Sequence, residues 1–269
     1  MLTAFMLLSC SANRVKKRNI TDFKLKGRVT IDYSVKDVAL DSTTNTVFVA
    51  EKESNKIWIY HDYEYINKIG GRGLGEAKFQ SLSDLDVSNQ GHLLVLDNLQ
   101  KRISIIDKDG QFVGKLNLQN VKNPVRFAVD SNEMLYIYDN NEHEIVVNNL
   151  LTGNEFIRFG KFEIDFPKNM TVNADKLNIT NYNNSNLLYG VMGNFVAEYS
   201  GMTVVDEFNT ILKATSNTVA VNENSEIKIV SLNKIENVIL YGRSLVLVTE
   251  KSIEIYEIRY DKGMKKDYE

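Results

Sequence analysis

An all-β fold is predicted by three features of the sequence. Val, Ile, Thr, Tyr and Phe gather in short runs, the composition of half-buried strands. Asn, Asp and Gly collect between the runs, where turns need residues that tolerate left-handed backbone. No long segment carries the 3.6-residue apolar period of an amphipathic helix.

The clearest unit covers residues 67–118. Gly70, Gly71, Gly73 and Gly75 open it as a flexible crossover. SDLDVS is a short first strand and NQG a turn; HLLVLD is an apolar second strand and DNLQK a polar turn. RISIID alternates with period two, KDG makes a hairpin turn and QFVGKLNL is the fourth strand. Asp-Gly between two β-rich runs is a strong hairpin signal, because glycine reaches positive φ without steric cost.

The unit recurs. The polar residue closing each second strand is read as Glu51, Asp97, Asp139, Asn181, Asn222 and Glu250, at spacings of 46, 42, 42, 41 and 28. Third strands follow as KIWIYH, RISIID, EIVVNNL, LLYGVM, EIKIVSL and SIEIYEI. Four strands in about 40 residues is the spacing of propeller blades. One blade has two apolar faces and cannot bury them alone; radial stacking buries both.

The glycine-rich lead with Phe79, DLDV, LLVLD, KRISIID and DG resembles the NHL-repeat family of six-bladed β-propellers, over roughly residues 35–258. The predicted fold is therefore an all-β, six-bladed β-propeller across residues 22–260, with five blades and an irregular closing sheet as the alternative. The short last spacing leaves blade five with three strands and makes NVILYG the innermost strand of blade six. Residues 22–31, DFKLKGRVTI, are expected to add the outer strand of the last sheet, removing an exposed edge. Residues 261–269 are expected to be a flexible charged tail.

Leu7-Leu8-Ser9-Cys10 resembles a bacterial lipobox, which implies cleavage before Cys10 and lipidation of its thiol. Residues 1–9 then read as a truncated signal peptide whose true start lies upstream, and residues 10–21 as a polar, basic tether. Ser11 after the cysteine resembles the default outer-membrane signal of Gram-negative lipoproteins. The expected address is the bacterial cell envelope: lipid-anchored, at the outer membrane, facing the periplasm or the cell surface. The apolar run is shorter than the about 20 residues a membrane-spanning helix needs.

A formal net charge of −3 gives no basic footprint for nucleic acid. GGRGLG lacks the Lys-Ser/Thr of a phosphate loop and has no βαβ context. His61, His92 and His143 fall off the innermost strands, so they are not expected to converge on a metal, and no GxSxG nucleophile motif occurs. Asp41, Asp86, Asp130 and Asn173 are weak candidates for calcium at a channel mouth, although turn-forming Asp and Asn are expected in any propeller. Arg126, Lys168 and Lys213 are expected beside innermost strands, giving a mildly basic rim toward an acidic or polar partner. The functional expectation is a binding or assembly scaffold for an envelope protein, peptide or glycan, without a cofactor. A metal-dependent hydrolase or lyase with Ca2+ in the channel is the alternative.

Overall fold

The computed structural model describes residues 18–221 and 225–262. Cys10, the leader, most of the tether, Asn222 and the tail from residue 263 lie outside them.

Among the described residues, twenty-four strands form six four-stranded antiparallel sheets. The first, β1 (Ile20–Thr30), precedes the first blade. Blade one is β2 (Val35–Asp41), β3 (Thr46–Glu51), β4 (Lys56–His61) and β5 (Glu64–Gly70). Blade two is β6 (Leu82–Val87), β7 (Leu93–Asp97), β8 (Arg102–Ile106) and β9 (Phe112–Asn117). Blade three is β10 (Pro124–Val129), β11 (Met134–Asp139), β12 (Glu144–Asn149) and β13 (Glu155–Phe159). Blade four is β14 (Pro167–Asn173), β15 (Lys176–Asn181), β16 (Ser185–Gly190) and β17 (Phe195–Ser200). Blade five is β18 (Met202–Val205), β19 (Ile211–Ala214), β20 (Thr218–Val221) and β21 (Lys228–Val230). Blade six is β22 (Ile235–Tyr241), β23 (Ser244–Thr249) and β24 (Ser252–Tyr260), completed by β1.

Six blades and the clasp are as the sequence predicts; blade five is not. It has four strands, and TVAV is its third rather than its second. The expected second-strand terminus at Asn222 was one strand late. All four strands are only three or four residues long, too short to show period two against the surrounding polar turns.

The apolar core consists of wedges between blades. One cluster joins Val38, Val47 and Val49 of blade one to Ile239, Val246 and Val248 of blade six. Another joins Phe48 and Ile57 to Leu85 and Val95 across blades one and two. Pro124 and Pro167 each open an innermost strand, where a missing N–H removes no internal ladder bond. At the clasp, β1 pairs with β24 from Ile20↔Tyr260 to Thr30↔Ser252. Gly27 sits there at a register shift, and a Cβ on it would lie 2.0 Å from the Tyr63 ring of blade one.

The residue that closes each second strand has a mechanical role. Asp97 accepts N–H bonds from Gln80 (2.7 Å), Ser81 (3.1 Å) and Gln100 (3.1 Å). Asp139 does the same for Lys122 (2.7 Å) and Asn123 (3.0 Å). Each carboxylate thus ties the crossover arriving from the previous blade to its own hairpin. Asp97→Ala leaves those donors without partners in a fully buried position, and is expected to destabilise the protein by about 3 kcal/mol in urea unfolding.

The glycine-rich crossover is a cradle of carbonyls. Lys78 Nζ donates to Gly70 O (2.5 Å), and Arg102 Nη2 to Gly75 O (2.9 Å) and Lys78 O (2.7 Å). A phosphate loop needs inward N–H groups. Here carbonyls face in, and the chain's own cations occupy them.

Candidate functional site

Innermost strands leave one edge unpaired along the central channel. In five of the six blades this strand carries a register shift next to its first residue: at Val35/Asp37, Leu82/Asp84, Pro124/Arg126, Pro167/Asn169 and Ile235/Asn237. A bulge inserts one residue and re-aims the side chain that follows. The equivalent positions Asp37, Asp84, Arg126, Asn169 and Asn237 therefore form one polar layer around the axis.

Carboxylates of that layer bond the free edge of the neighbouring blade. Asp37 Oδ2 accepts from Leu85 N at 2.7 Å, and Asp84 Oδ2 from Phe127 N at 2.6 Å. One turn of the channel further on, Asp86 Oδ2 accepts from Val129 N at 2.8 Å. Tyr241 of blade six donates its hydroxyl to Val38 O of blade one at 2.8 Å. Arg126 crosses the layer: Nη1 donates to Ser83 O (2.6 Å), Nε to Lys168 O (2.9 Å), and Nε lies 3.8 Å from Asp84 Oδ1.

Burial raises the Asp37 and Asp84 carboxyls above the usual range, and their mutual proximity lifts Asp84 further. Arg126 opposes both shifts. Burial works against the arginine's charge too, but Asp84, Asp37 and the Tyr182 hydroxyl outweigh it and keep the guanidinium charged. The triad is thus a buried cation between two carboxyls that need not both ionise.

Asp86 is pushed up to about 7, mainly by burial. Its folded value lies above the unfolded one, so protonated Asp86 stabilises the fold at low pH, and that contribution is lost as pH rises through about 7. Asp86→Asn is expected to remove a fall in stability of up to about 4 kcal/mol between about pH 4 and pH 7. Urea unfolding of both proteins across that range checks it.

The channel opens at both ends, and the ends differ in charge. One mouth is a cavity of about 690 Å³ at the far end of the innermost strands, lined by Asp41, Asp86, Asp130 and Asn173 of those strands and the turns after them and by Asp107 and Asp109 of the β8–β9 turn. The other, of about 420 Å³, lies at the start of those strands and is lined by Lys36, Lys168 and Lys234 with Asp37 and Glu236.

The structure brings the four calcium candidates to the same acidic mouth but engages the carboxylates of Asp41, Asp86 and Asp130. Asp41 caps its turn through Thr43 N (2.9 Å) and the Thr44 hydroxyl (2.7 Å). Asp130 accepts from Asn132 N, Met134 N and the Tyr136 hydroxyl. Asp86 is bonded as above. Among the described residues no three His, Cys, Asp or Glu side chains stand together as metal ligands.

Of the three expected rim cations, Arg126 and Lys168 meet at the basic mouth, Arg126 just inside it. Lys213 is on β19, opposite Thr203 and one strand away from the channel. Sequence reasoning missed Lys36 and Lys234. Lys36 and Lys168 occupy the same blade position, the residue before the re-aimed side chain. That alignment was available in the sequence, had the bulge been placed. Burial lowers both ammonium groups from the usual lysine range; for Lys36, Arg126 adds to the effect. Lys168 Nζ donates to Glu236 O at 2.7 Å.

A ring of six stapled blades with a polar channel defines a six-bladed β-propeller. Residues 34–200 match the DUF5128 family, described as 6-bladed β-propellers, and the chain belongs to that family. No curated protein matches the sequence. Among solved structures, virginiamycin B lyase from Staphylococcus aureus is similar at 13% identity and a TM-score of 0.58, over 88% of this chain and 100% of that one. A streptogramin B lyase is similar at 15% identity and a TM-score of 0.56, over 88% and 98%. BBS1N, in a complex with ARL6DN, is similar at 17% identity and a TM-score of 0.51, over 82% and 77%. At these identities the likeness is one of fold.

Proposed function

We propose that this protein is a lipid-anchored β-propeller of the bacterial cell envelope, of NHL-like repeat pattern, that holds an acidic partner, a protein or peptide, against its basic mouth. One observation carries the binding reading. Lys36 and Lys168 stand half-buried at a concave opening with their charge disfavoured, above the further cation Arg126. An incoming carboxylate would favour the charged form of both against the effect of burial. The buried carboxyls of Asp37, Asp84 and Asp86, by contrast, are explained by the neighbouring backbone they bind. Complexes such as that of BBS1N with ARL6DN support protein binding as a use of this fold. The anchor and the envelope address rest on Leu7-Leu8-Ser9-Cys10.

Two measurements test this. Intact-mass spectrometry of the membrane fraction is expected to give a mature chain beginning at Cys10 with added acyl mass; a soluble chain retaining Met1 removes the anchor. Poly-glutamate is expected to bind the full chain in a salt-sensitive way, and Lys36→Ala/Lys168→Ala to weaken it about tenfold or more. Equal binding of poly-lysine removes the basic-mouth reading.

A further inference from the structure

The crossover from blade three to blade four bears an unusual feature. Phe162 and Phe166 both have left-handed backbone, at φ 61° and 42°. Phenylalanine is a poor residue there, and asparagine or glycine would adopt the conformation with less strain. Both rings are also turned outward, at 75% and 52% exposure, so no core burial repays the strain. Strained backbone presenting exposed side chains is a feature that function retains and stability alone does not.

The loop is held rigidly from below. Ile164 between them is buried, and its carbonyl accepts the Tyr138 hydroxyl at 3.1 Å. Glu163 accepts the Tyr189 hydroxyl at 2.9 Å. His143 packs beside both phenylalanines, with ring centroids at 5.9 and 6.1 Å. Tyr182 N bonds Phe166 O at 3.2 Å, and the Tyr182 ring is 65% exposed. The backbone that presents these rings is thus held in place.

The rings adjoin the basic mouth. The Tyr182 hydroxyl bears on Arg126, and Asn184, two residues on in the same turn, lines the mouth itself. Lys161 Nζ stands 5.6 Å from the Phe162 ring centre and is paired with Glu142 at 3.4 Å. Charge and apolar surface together specify the ligand. Cations at the mouth call for a carboxylate, and the neighbouring rings for an apolar side chain on the same chain.

Building on the basic-mouth reading above, we propose that Phe162, Phe166 and Tyr182 form an anchoring shelf for an acidic peptide segment that carries a large apolar side chain beside its carboxylates. The mouth takes the carboxylates and the shelf takes the apolar group. Aromatic shelves next to charged pockets concentrate binding energy, because a rigid ring loses little freedom on contact.

The test uses the full chain and fluorescein-labelled synthetic peptides: a Glu-rich peptide with phenylalanines, the same peptide with serine for phenylalanine, and the first with lysine for glutamate. Anisotropy is expected to show the phenylalanine peptide binding about tenfold tighter than its serine counterpart. Phe162→Asn/Phe166→Asn is expected to equalise the two, leave the serine peptide's affinity unchanged, and keep or raise the Tm, because the strain is relieved. A purely structural role for the rings would lower the Tm instead and overturn the proposal. Equal affinity of both acidic peptides for the unaltered protein overturns the shelf while the mouth stands. Affinity for the lysine peptide equal to that for the glutamate peptides overturns the mouth reading. A dimer in size-exclusion chromatography that the double variant abolishes, without peptide binding, makes a second copy the occupant and overturns the proposal as well.

Discussion

Removal of residues 1–31 is expected to leave a chain without a cooperative unfolding transition. The segment contains β1, the only strand of blade six that comes from the other end of the chain. Without it, β24 exposes its full hydrogen-bonding edge, and Ile253 and Ile255 lose cover beside the seam with blade one, Ile258 beside the seam with blade five. Burial of the Ile20 and Val29 side chains alone is worth about 1.5–3 kcal/mol each, against a total stability of about 5–15 kcal/mol. An open edge next to an open ring also invites pairing between molecules. A circular permutant separates the loss of the strand from the loss of the connection. Because Ile20 lies opposite Tyr260, a short turn joins β24 to β1 as a hairpin when the chain starts near residue 32. That permutant is expected to melt cooperatively near the parent temperature. Failure of the permutant, or a cooperative transition in the truncated chain, contradicts ring closure by β1. Urea unfolding followed by circular dichroism reads both.

Arg126→Met is expected to destabilise the protein by about 3–5 kcal/mol at pH 8, because it leaves Asp37 and Asp84 buried without their cation. The loss is expected to shrink at pH 5. Both carboxyls already lie above their usual range by burial, and removing the arginine raises them further. Protonation then relieves the uncompensated charge, so the variant gains relative to the parent as pH falls. A loss independent of pH would mean that Arg126 acts through packing and its bonds to Ser83 O and Lys168 O instead. Asp37→Asn/Asp84→Asn in the Arg126→Met background is expected to recover most of the stability at pH 8.

The sequence was legible where strands are buried on both faces. LLVLD and LYIYD show it plainly: apolar runs closed by a carboxylate that has a fixed partner in the crossover before it. Blade five was not legible, because TVAV and KIV bury few residues and leave the strands no pattern to display. The channel layer was hidden for another reason. Lys36 and Asp37 are neighbours in sequence, yet a bulge decides which of them faces the axis and which the mouth, and a bulge leaves no mark in a two-residue period. Phe162 and Phe166 gave no signal either, because their left-handed backbone and exposure belong to the folded chain alone.

The clasp also fixes which way the molecule looks. Ile20 pairs with Tyr260 at the end of the barrel-like stack where Tyr241 borders the acidic opening; Thr30 reaches the end where Ile235 borders the lysines. The described chain therefore enters the ring on its acidic side, with Asn19 beside Asp261. Under the anchoring proposed at Cys10, the acidic opening would be turned to the bilayer and the lysine opening to the space beyond. The strand that shuts the ring thereby brings the first and last described stretches of the chain to one and the same side.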